Sequence, residues 1–233
     1  LGDDPALPSR RQMKSVRRAL LIGPLARADA WHRREIATWL AHGKDPKQGP
    51  SYVVAVDGGL DAAAKLKLPV DWAVGDWDSL RSRRRLAQVH HLTLPRDKDR
   101  SDLYYGLQTA LNAEVSHILC VGFLGGPRWD QHQASMAELE LAAEQAEVSA
   151  IGEGSHFEFL SSRRRSSWSA VLPRGAQVSV FALGGRASGV TLSGLSYPLK
   201  DATLLPGSQG LSNVASGGTA TIRLKKGALL VIS

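Results

Sequence analysis

One cysteine in 233 residues is too few for an internal disulfide or a thiolate metal cage. Cys120 sits inside the apolar run Ile118-Leu119-Cys120-Val121 and reads as core rather than as a reactive thiol. No apolar run approaches the ~20 residues of a membrane span, and the amino-terminal stretch has no signal-peptide core, so a cytoplasmic chain is expected. Also missing are a Walker glycine loop ending in Lys-Ser/Thr, a Gly-x-Ser-x-Gly elbow and any convincing nucleophile. That leaves direct transfer organised by metal and charge ahead of a covalent intermediate. Aromatic residues make up only 6%, and none interleaves with the arginine clusters Arg81-Ser82-Arg83-Arg84-Arg85 and Arg163-Arg164-Arg165. The net charge of +7 is therefore read as solvated charge on a helix and a linker, with attraction of polyphosphate substrates or incidental RNA binding as lesser readings.

What is present alternates. Arg18 to Gly23, Tyr52 to Val56, Trp72 to Val74, His91 to Leu94 and His117 to Val121 are short apolar or β-branched runs. Helical spacing separates them, in an Asp29/Ala30 to Gly43 segment, an Arg-rich Leu80 to Gln88, Asp102 to Asn112 and Asp130 to Ala146. Such alternation predicts a parallel sheet covered on both faces, a Rossmann-like α/β domain over 17–152. Residues up to Val16 are expected to fray, and Lys44 to Pro50 to form a polar loop. Around Val148 to Ser167 the pattern breaks, and the arginine run with its serines reads as a linker. Beyond it, glycine-punctuated strands predict a small all-β sandwich over 165–233, with Gln177 to Leu183 as one strand and residues 219–232 as a closing hairpin.

Ligands of open parallel sheets bind beyond the carboxyl ends of the strands, and four loops there carry the chemistry. The first is Asp57-Gly58-Gly59, either a ligand contact or a tight turn. In Gly75-Asp76-Trp77-Asp78-Ser79, carboxylates two apart in extended backbone face one side and suit a magnesium ion that takes one or two carboxylates plus substrate phosphates; a surface turn with local hydrogen bonds is the alternative. In Asp97-Lys98-Asp99-Arg100-Ser101-Asp102, Asp99 and Asp102 read as helix cap and first-turn residue, or as further metal ligands. Capping leaves the crowding of Asp97, Lys98 and Arg100 unexplained, whereas a metal and triphosphate site uses all of them. Finally, Gly122 to Asp130 joins a strand to a helix, with Gly125 and Gly126 supplying amides and Arg128 a fork for phosphate.

On these residues the chain resembles the thiamine pyrophosphokinase family. That family is marked by Asp-Gly-Gly after its second strand, Gly-Asp-Phe-Asp-Ser, Asp-x-Asp-x-Thr-Asp at a helix start, and Gly-Gly-Arg-x-Asp followed by His or Gln. The matching segments are Asp57-Gly58-Gly59, Gly75 to Ser79, Asp97 to Asp102 and Gly125-Gly126-Pro127-Arg128-Trp129-Asp130-Gln131. Gly194 to Leu199, with Tyr197, and Gly210-Leu211-Ser212-Asn213 are similar to the family's thiamine-side segments. The resemblance implies an α/β domain and a β-sandwich, a homodimer with thiamine bound between subunits, ATP as co-substrate and magnesium. Carried over residue by residue, it implies Asp76, Asp78, Asp99 and Asp102 as metal ligands, with Arg128 completing the catalytic set. Asp57, Gly58, Gly59, Lys98, Arg100, Gly125, Gly126, Asp130, Gln131, Tyr197, Ser212 and Asn213 are its expected substrate contacts. Pro127 is inserted before Arg128, Ser101 replaces threonine, and Val214 stands where glutamate is frequent. The alternatives are a related kinase acting on another alcohol, a non-catalytic nucleotide sensor, and a basic nucleic-acid module.

Overall fold

The computed structural model describes residues 18–42 and 51–233. The expected fraying up to Val16 and the loop Lys44–Pro50 lie outside them. The chain divides into two compact units, Leu1–Glu138 with Ala150–Gly154 and Leu139–Ser149 with Ser155–Ser233.

In the first unit, β1 (Arg18–Ile22), β2 (Ser51–Val56), β3 (Trp72–Gly75), β4 (His90–Thr93) and β5 (His117–Val121) form a sheet of order β4-β3-β2-β1-β5, and every pair in it is parallel. β1 is buried along its whole length because it lies between two partners, with Leu20 facing Val53 on one side and Leu119 on the other. Arg18 is tolerated there because its guanidinium stacks 4.1 Å from the Trp39 ring and donates to the Trp39 carbonyl. Helix α1 (Ala30–His42) is capped by Asp29, whose Oδ1 accepts from the His32 amide at 2.9 Å. Helices α2 (Gly59–Leu66), α3 (Asp102–Asn112) and α4 (Trp129–Ala142) follow β2, β4 and β5.

The expected arginine-rich helix is only a short 3-10 helix, Arg83–Gln88, with no buried residue. Its sequence offers one apolar anchor, Leu86, against the cluster of Ala55, Leu60, Ala73, Trp77 and Leu80, too little to hold an α-helix down.

Gly59 opens α2 hard against β1: a methyl group there would run into the Ile22 carbonyl. Gly59→Ala is therefore expected to overpack this joint by about 1–3 kcal/mol. Thermal unfolding should show it as a fall of roughly 2–12 °C, and an unchanged midpoint would mean that α2 moves freely off the sheet.

The second unit is antiparallel. It contains β7 (Ser155–Ser161), β8 (Ser167–Leu172), β9 (Gln177–Ser193), β10 (Leu199–Leu204), β11 (Asn213–Val214), β12 (Gly218–Arg223) and β13 (Lys226–Ile232), preceded in the chain by β6 (Glu147–Gly152). Its organiser is β9, which pairs with β13, β12, β10 and β11 along its length. The expected strand ending at Leu183 continues because Gly184, Gly185 and Gly189 take positive φ and let the strand bend without stopping. Its alternate side chains, among them Val178, Val180, Ala187, Val190 and Leu192, enter one core with Leu160, Trp168, Ile222 and Leu229.

The expected closing hairpin does not form. β12 pairs with β8 and β9, and β13 pairs with β7 and β9. The connector is drawn inward instead: Leu224 is buried, and the amides of Leu224 and Lys225 donate to Ser166 and Ser188. Residues 153–164, left between the two expected domains, carry β7, whose Phe159 and Leu160 are fully buried. The arginine run beyond β7 is a turn fixed by carboxylates, Arg163 on Glu144 at 2.8 Å and Arg165 on Glu158 at 2.5 Å.

Candidate active site

The acidic loops all leave the carboxyl edge of the parallel sheet, and backbone hydrogen bonds tie that edge together. The Asp57 amide donates to Val74 and the Leu94 amide to Gly75. Gly75 has no side chain to hold the neighbouring loop off; a Cβ there would lie 2.8 Å from the Asp57 Cα. β2 and β3 thus deliver Asp57 and Asp76 side by side.

Asp78 joins them by a different route from the extended backbone expected. Trp77 adopts φ 64°, in the left-handed region, because its ring is buried in the core beneath the loop and its indole Nε1 donates to Thr93 Oγ1 at 2.8 Å. The kink turns the chain back, so that the Asp78 amide donates to Asp76 Oδ1 at 3.2 Å. One carboxylate oxygen from each of Asp57, Asp76 and Asp78 lies within 4.8 Å of the others. Ser79 Oγ donates to Asp57 Oδ2, while Asp57 Oδ1 is buried without a hydrogen-bond partner among the described residues. Three converging carboxylates, one presenting an unsatisfied buried oxygen, are a donor set that fits a hard divalent cation such as magnesium.

Asp102 is the first residue of α3. Burial pushes its carboxyl up to about 6, against the opposing pull of the Lys98 ammonium and with a smaller push from Asp76 and Asp57. Lys98 Nζ lies 2.6 Å from Asp76 Oδ2 and 3.2 Å from Asp102 Oδ1. Burial also opposes the charge of Asp76, but the Lys98 hydrogen bond prevails and holds that carboxyl below its ordinary value. Asp97 and Asp99 are exposed, as is Arg100, whose guanidinium lies over the Tyr104 ring. The cap of α3 is Ser101, not Asp99: its Oγ accepts from the Tyr104 amide, since Asp99 lies three residues before the first helical residue. Ser101 Oγ in turn donates to Glu138 Oε2 at 2.6 Å, a link from the start of α3 to α4.

A cleft of about 280 Å³ opens beside these loops, lined by Leu25, Asp57, Asp102, Phe123, Arg128 and Gln131 among others. The Gly125 and Gly126 amides, expected to face anionic oxygens, are already engaged, donating to His132 Nδ1 and Glu153 Oε1. Arg128 is exposed and forks onto Asp130, with contacts of 2.9 and 2.5 Å. The Arg128 hydrogen bond lowers the Asp130 carboxyl to about 2. Gly58 and Gly59 start α2.

In the β unit Asn213 is buried, and its side chain brackets the Tyr197 backbone, accepting from the amide at 3.0 Å and donating to the carbonyl at 2.8 Å. The Tyr197 side chain is thereby presented 70% exposed. Ser212 takes φ 57° and its amide donates to Ser179 Oγ. Sequence reasoning assigned Asp57 to substrate rather than to the carboxylate cluster, and it missed Ser79, His132, Glu138 and Glu153. Glu138 and Glu153 lie 37 and 27 residues from their partners Ser101 and Gly126, so no local motif marks them, and His132 stands seven residues beyond Gly125 in the first turn of α4; Ser79 was legible as the last residue of Gly-Asp-Trp-Asp-Ser.

Residues 47–150 match the family model described as thiamin pyrophosphokinase, catalytic domain, and residues 171–229 match thiamin pyrophosphokinase, vitamin B1 binding domain. No curated protein sequence matches the chain. Among solved structures, the fold is similar to a thiamine pyrophosphokinase from Bacillus subtilis, at a TM-score of 0.71 and 20% identity over 92% of this chain and 97% of that one. A thiamin pyrophosphokinase from Geobacillus thermodenitrificans gives 0.71 and 19% over 92% and 96%. One from Candida albicans gives 0.70 and 15% over 93% and 88%.

Proposed function

The chain belongs to the thiamin pyrophosphokinase family, and from that premise we infer that it transfers a pyrophosphoryl group from ATP to the hydroxyl of thiamine, giving thiamine diphosphate and AMP. The observation that carries the reading is the convergence of one carboxylate oxygen each from Asp57, Asp76 and Asp78, with Asp57 buried and also lining a cleft that Arg128 lines. Asp57, Asp76 and Asp78 would hold magnesium, with Asp102 beside them. Bound there, the ion supplies Lewis-acid neutralisation of polyphosphate charge.

The chain's own residues then have mostly positioning and electrostatic work, as phosphoryl chemistry requires. Lys98 and Arg128 face the polyphosphate, Arg128 with a fork suited to two oxygens. Ser79 orients the Asp57 carboxylate, and Ser101 fixes the start of α3 and so the place of Asp102. Gln131 lines the cleft, and we assign Arg100 and Asp130 to further contacts with the nucleotide. Asp99 remains a candidate ligand only if its loop turns inward on binding.

We assign thiamine to Tyr197 and Ser212, with Asn213 holding the Tyr197 loop, in a homodimer whose α/β region, residues 17–152, meets the partner's β region, residues 165–233, across the substrate. No described helix is long and apolar enough to cross a membrane. The direct test is AMP release from ATP with and without thiamine. Thiamine-dependent release of AMP rather than ADP supports the reading, and ADP release or thiamine-independent turnover excludes it.

The shared site makes its own prediction. Co-expression of Asp76→Asn and Tyr197→Ala chains, each weak alone, is expected to recover roughly a quarter of wild-type activity, because mixed dimers keep one intact site of two. No recovery would place both residues in one chain's site.

A further inference from the structure

We propose that Lys98 is a resident counter-cation of the acidic loops, which gives up its place on Asp76 only when a divalent metal and a polyphosphate arrive together, so that the two bind cooperatively. The proposal rests on the reading of Asp57, Asp76 and Asp78 as metal ligands and goes beyond it, since it gives one lysine control over when that site is open.

The geometry is specific. Arg96 and Arg100, the neighbouring cations of this loop, are exposed, whereas the Lys98 side chain is 9% exposed and its ammonium sits between Asp76 and Asp102. Both oxygens of Asp76 are thereby occupied, Oδ1 by the Asp78 amide and Oδ2 by Lys98. Asp57 belongs to the same carboxylate cluster, and its Oδ1 has no hydrogen-bond partner among the described residues. Lys98 therefore neutralises one side of the cluster and leaves the other side open.

A divalent ion entering next to that ammonium meets a like charge at close range in a half-buried site, where screening by water is weak. Lys98 has the means to leave. Its ammonium is a compact charge on a flexible four-carbon stem rather than a rigid fork, and it can follow a phosphate oxygen while Asp76 turns to the metal. Without polyphosphate, leaving would strip Lys98 of both carboxylates and give it no new partner. With polyphosphate, the ammonium exchanges one anion for another, and the cost of opening the metal site disappears. Linkage makes the effect reciprocal, so metal strengthens nucleotide binding by the factor by which nucleotide strengthens metal binding.

The test uses Mn²⁺ as the metal probe and α,β-methylene-ATP, in which the scissile bridge is blocked, as the nucleotide, with binding followed by calorimetry on the full chain. Wild type is expected to bind Mn²⁺ alone weakly and to tighten about 5- to 150-fold with the analogue, the usual range of such coupling. Lys98→Met keeps the length and removes the charge. It is expected to bind Mn²⁺ alone at least tenfold tighter than wild type and to lose most of the coupling. Lys98→Arg keeps the charge and should bind Mn²⁺ alone as weakly as wild type. Thermal melts confirm folding, and Lys98→Gln replaces the methionine variant if that one fails to fold. If Lys98→Met binds Mn²⁺ no tighter than wild type while Asp76→Asn has lost Mn²⁺ binding, the counter-cation role is overturned and the metal site stands. If Asp76→Asn binds Mn²⁺ as wild type does, the metal reading fails and takes the inference with it.

Discussion

Replacing Asp76 by asparagine is expected to lower thiamine-dependent AMP release on the order of 10² to 10³, the scale of removing one group that stabilises developing charge. Asparagine keeps the shape and an acceptor for the Asp78 amide, so the turn around Trp77 survives. What it removes is the negative charge that Asp76 brings to the Asp57–Asp76–Asp78 cluster and that also holds Lys98. Asp78→Asn acts in the same direction, without the loss of the lysine contact. Asp99→Asn is the contrasting case: Asp99 is exposed and stands outside the cluster, so turnover is expected to stay within about twofold, as for a surface change away from such features. Steady-state turnover at millimolar magnesium, normalised to folded protein, separates the three. Full activity in Asp76→Asn would remove the metal assignment, and a collapse in Asp99→Asn would bring that residue into the site.

The parts of this molecule that could be read from its sequence are those set by short-range chemistry. α3 spans Asp102–Asn112 as expected, because Leu103 and Leu107 recur at helical spacing and are buried, while the polar residues before them stop the helix. The buried strands were equally legible as apolar runs between glycines and acids.

What escaped depends on pairing or on burial of a single group. Asp57 reads as a substrate contact or a turn residue until the register of β2 against β3, with Val56 beside Val74, sets it next to Asp76. The left-handed Trp77 leaves no mark in the chain beyond an aromatic between two acids. The Ser101–Glu138 bond joins residues 37 apart, and the closing hairpin failed because β9 is long enough to take both candidate strands as partners. In the β unit, the bracketing of the Tyr197 backbone by the Asn213 side chain joins residues 16 apart and leaves no mark in the chain.

Arg128 supplies the other large expected effect. Its guanidinium is held by Asp130 through two contacts, yet both side chains are more than 60% exposed, at 62% and 65%. An ion pair so open to water adds little to folding, so the pair reads as storage for a fork that is needed elsewhere. The need lies next door: Arg128 lines the cleft that Asp57 and Asp102 also line. Arg128→Lys keeps the positive charge and one contact with Asp130 but cannot grip two oxygens in a plane. If the fork holds the polyphosphate as charge spreads over its oxygens, turnover is expected to fall on the order of 10² to 10³, with the melting temperature unchanged. If the arginine serves only to hold Asp130 at the head of α4, the same substitution should lower the melting temperature while turnover per folded molecule is preserved. Measuring both quantities on one preparation distinguishes the two roles, and the second outcome would leave Lys98 as the cation that faces the substrate.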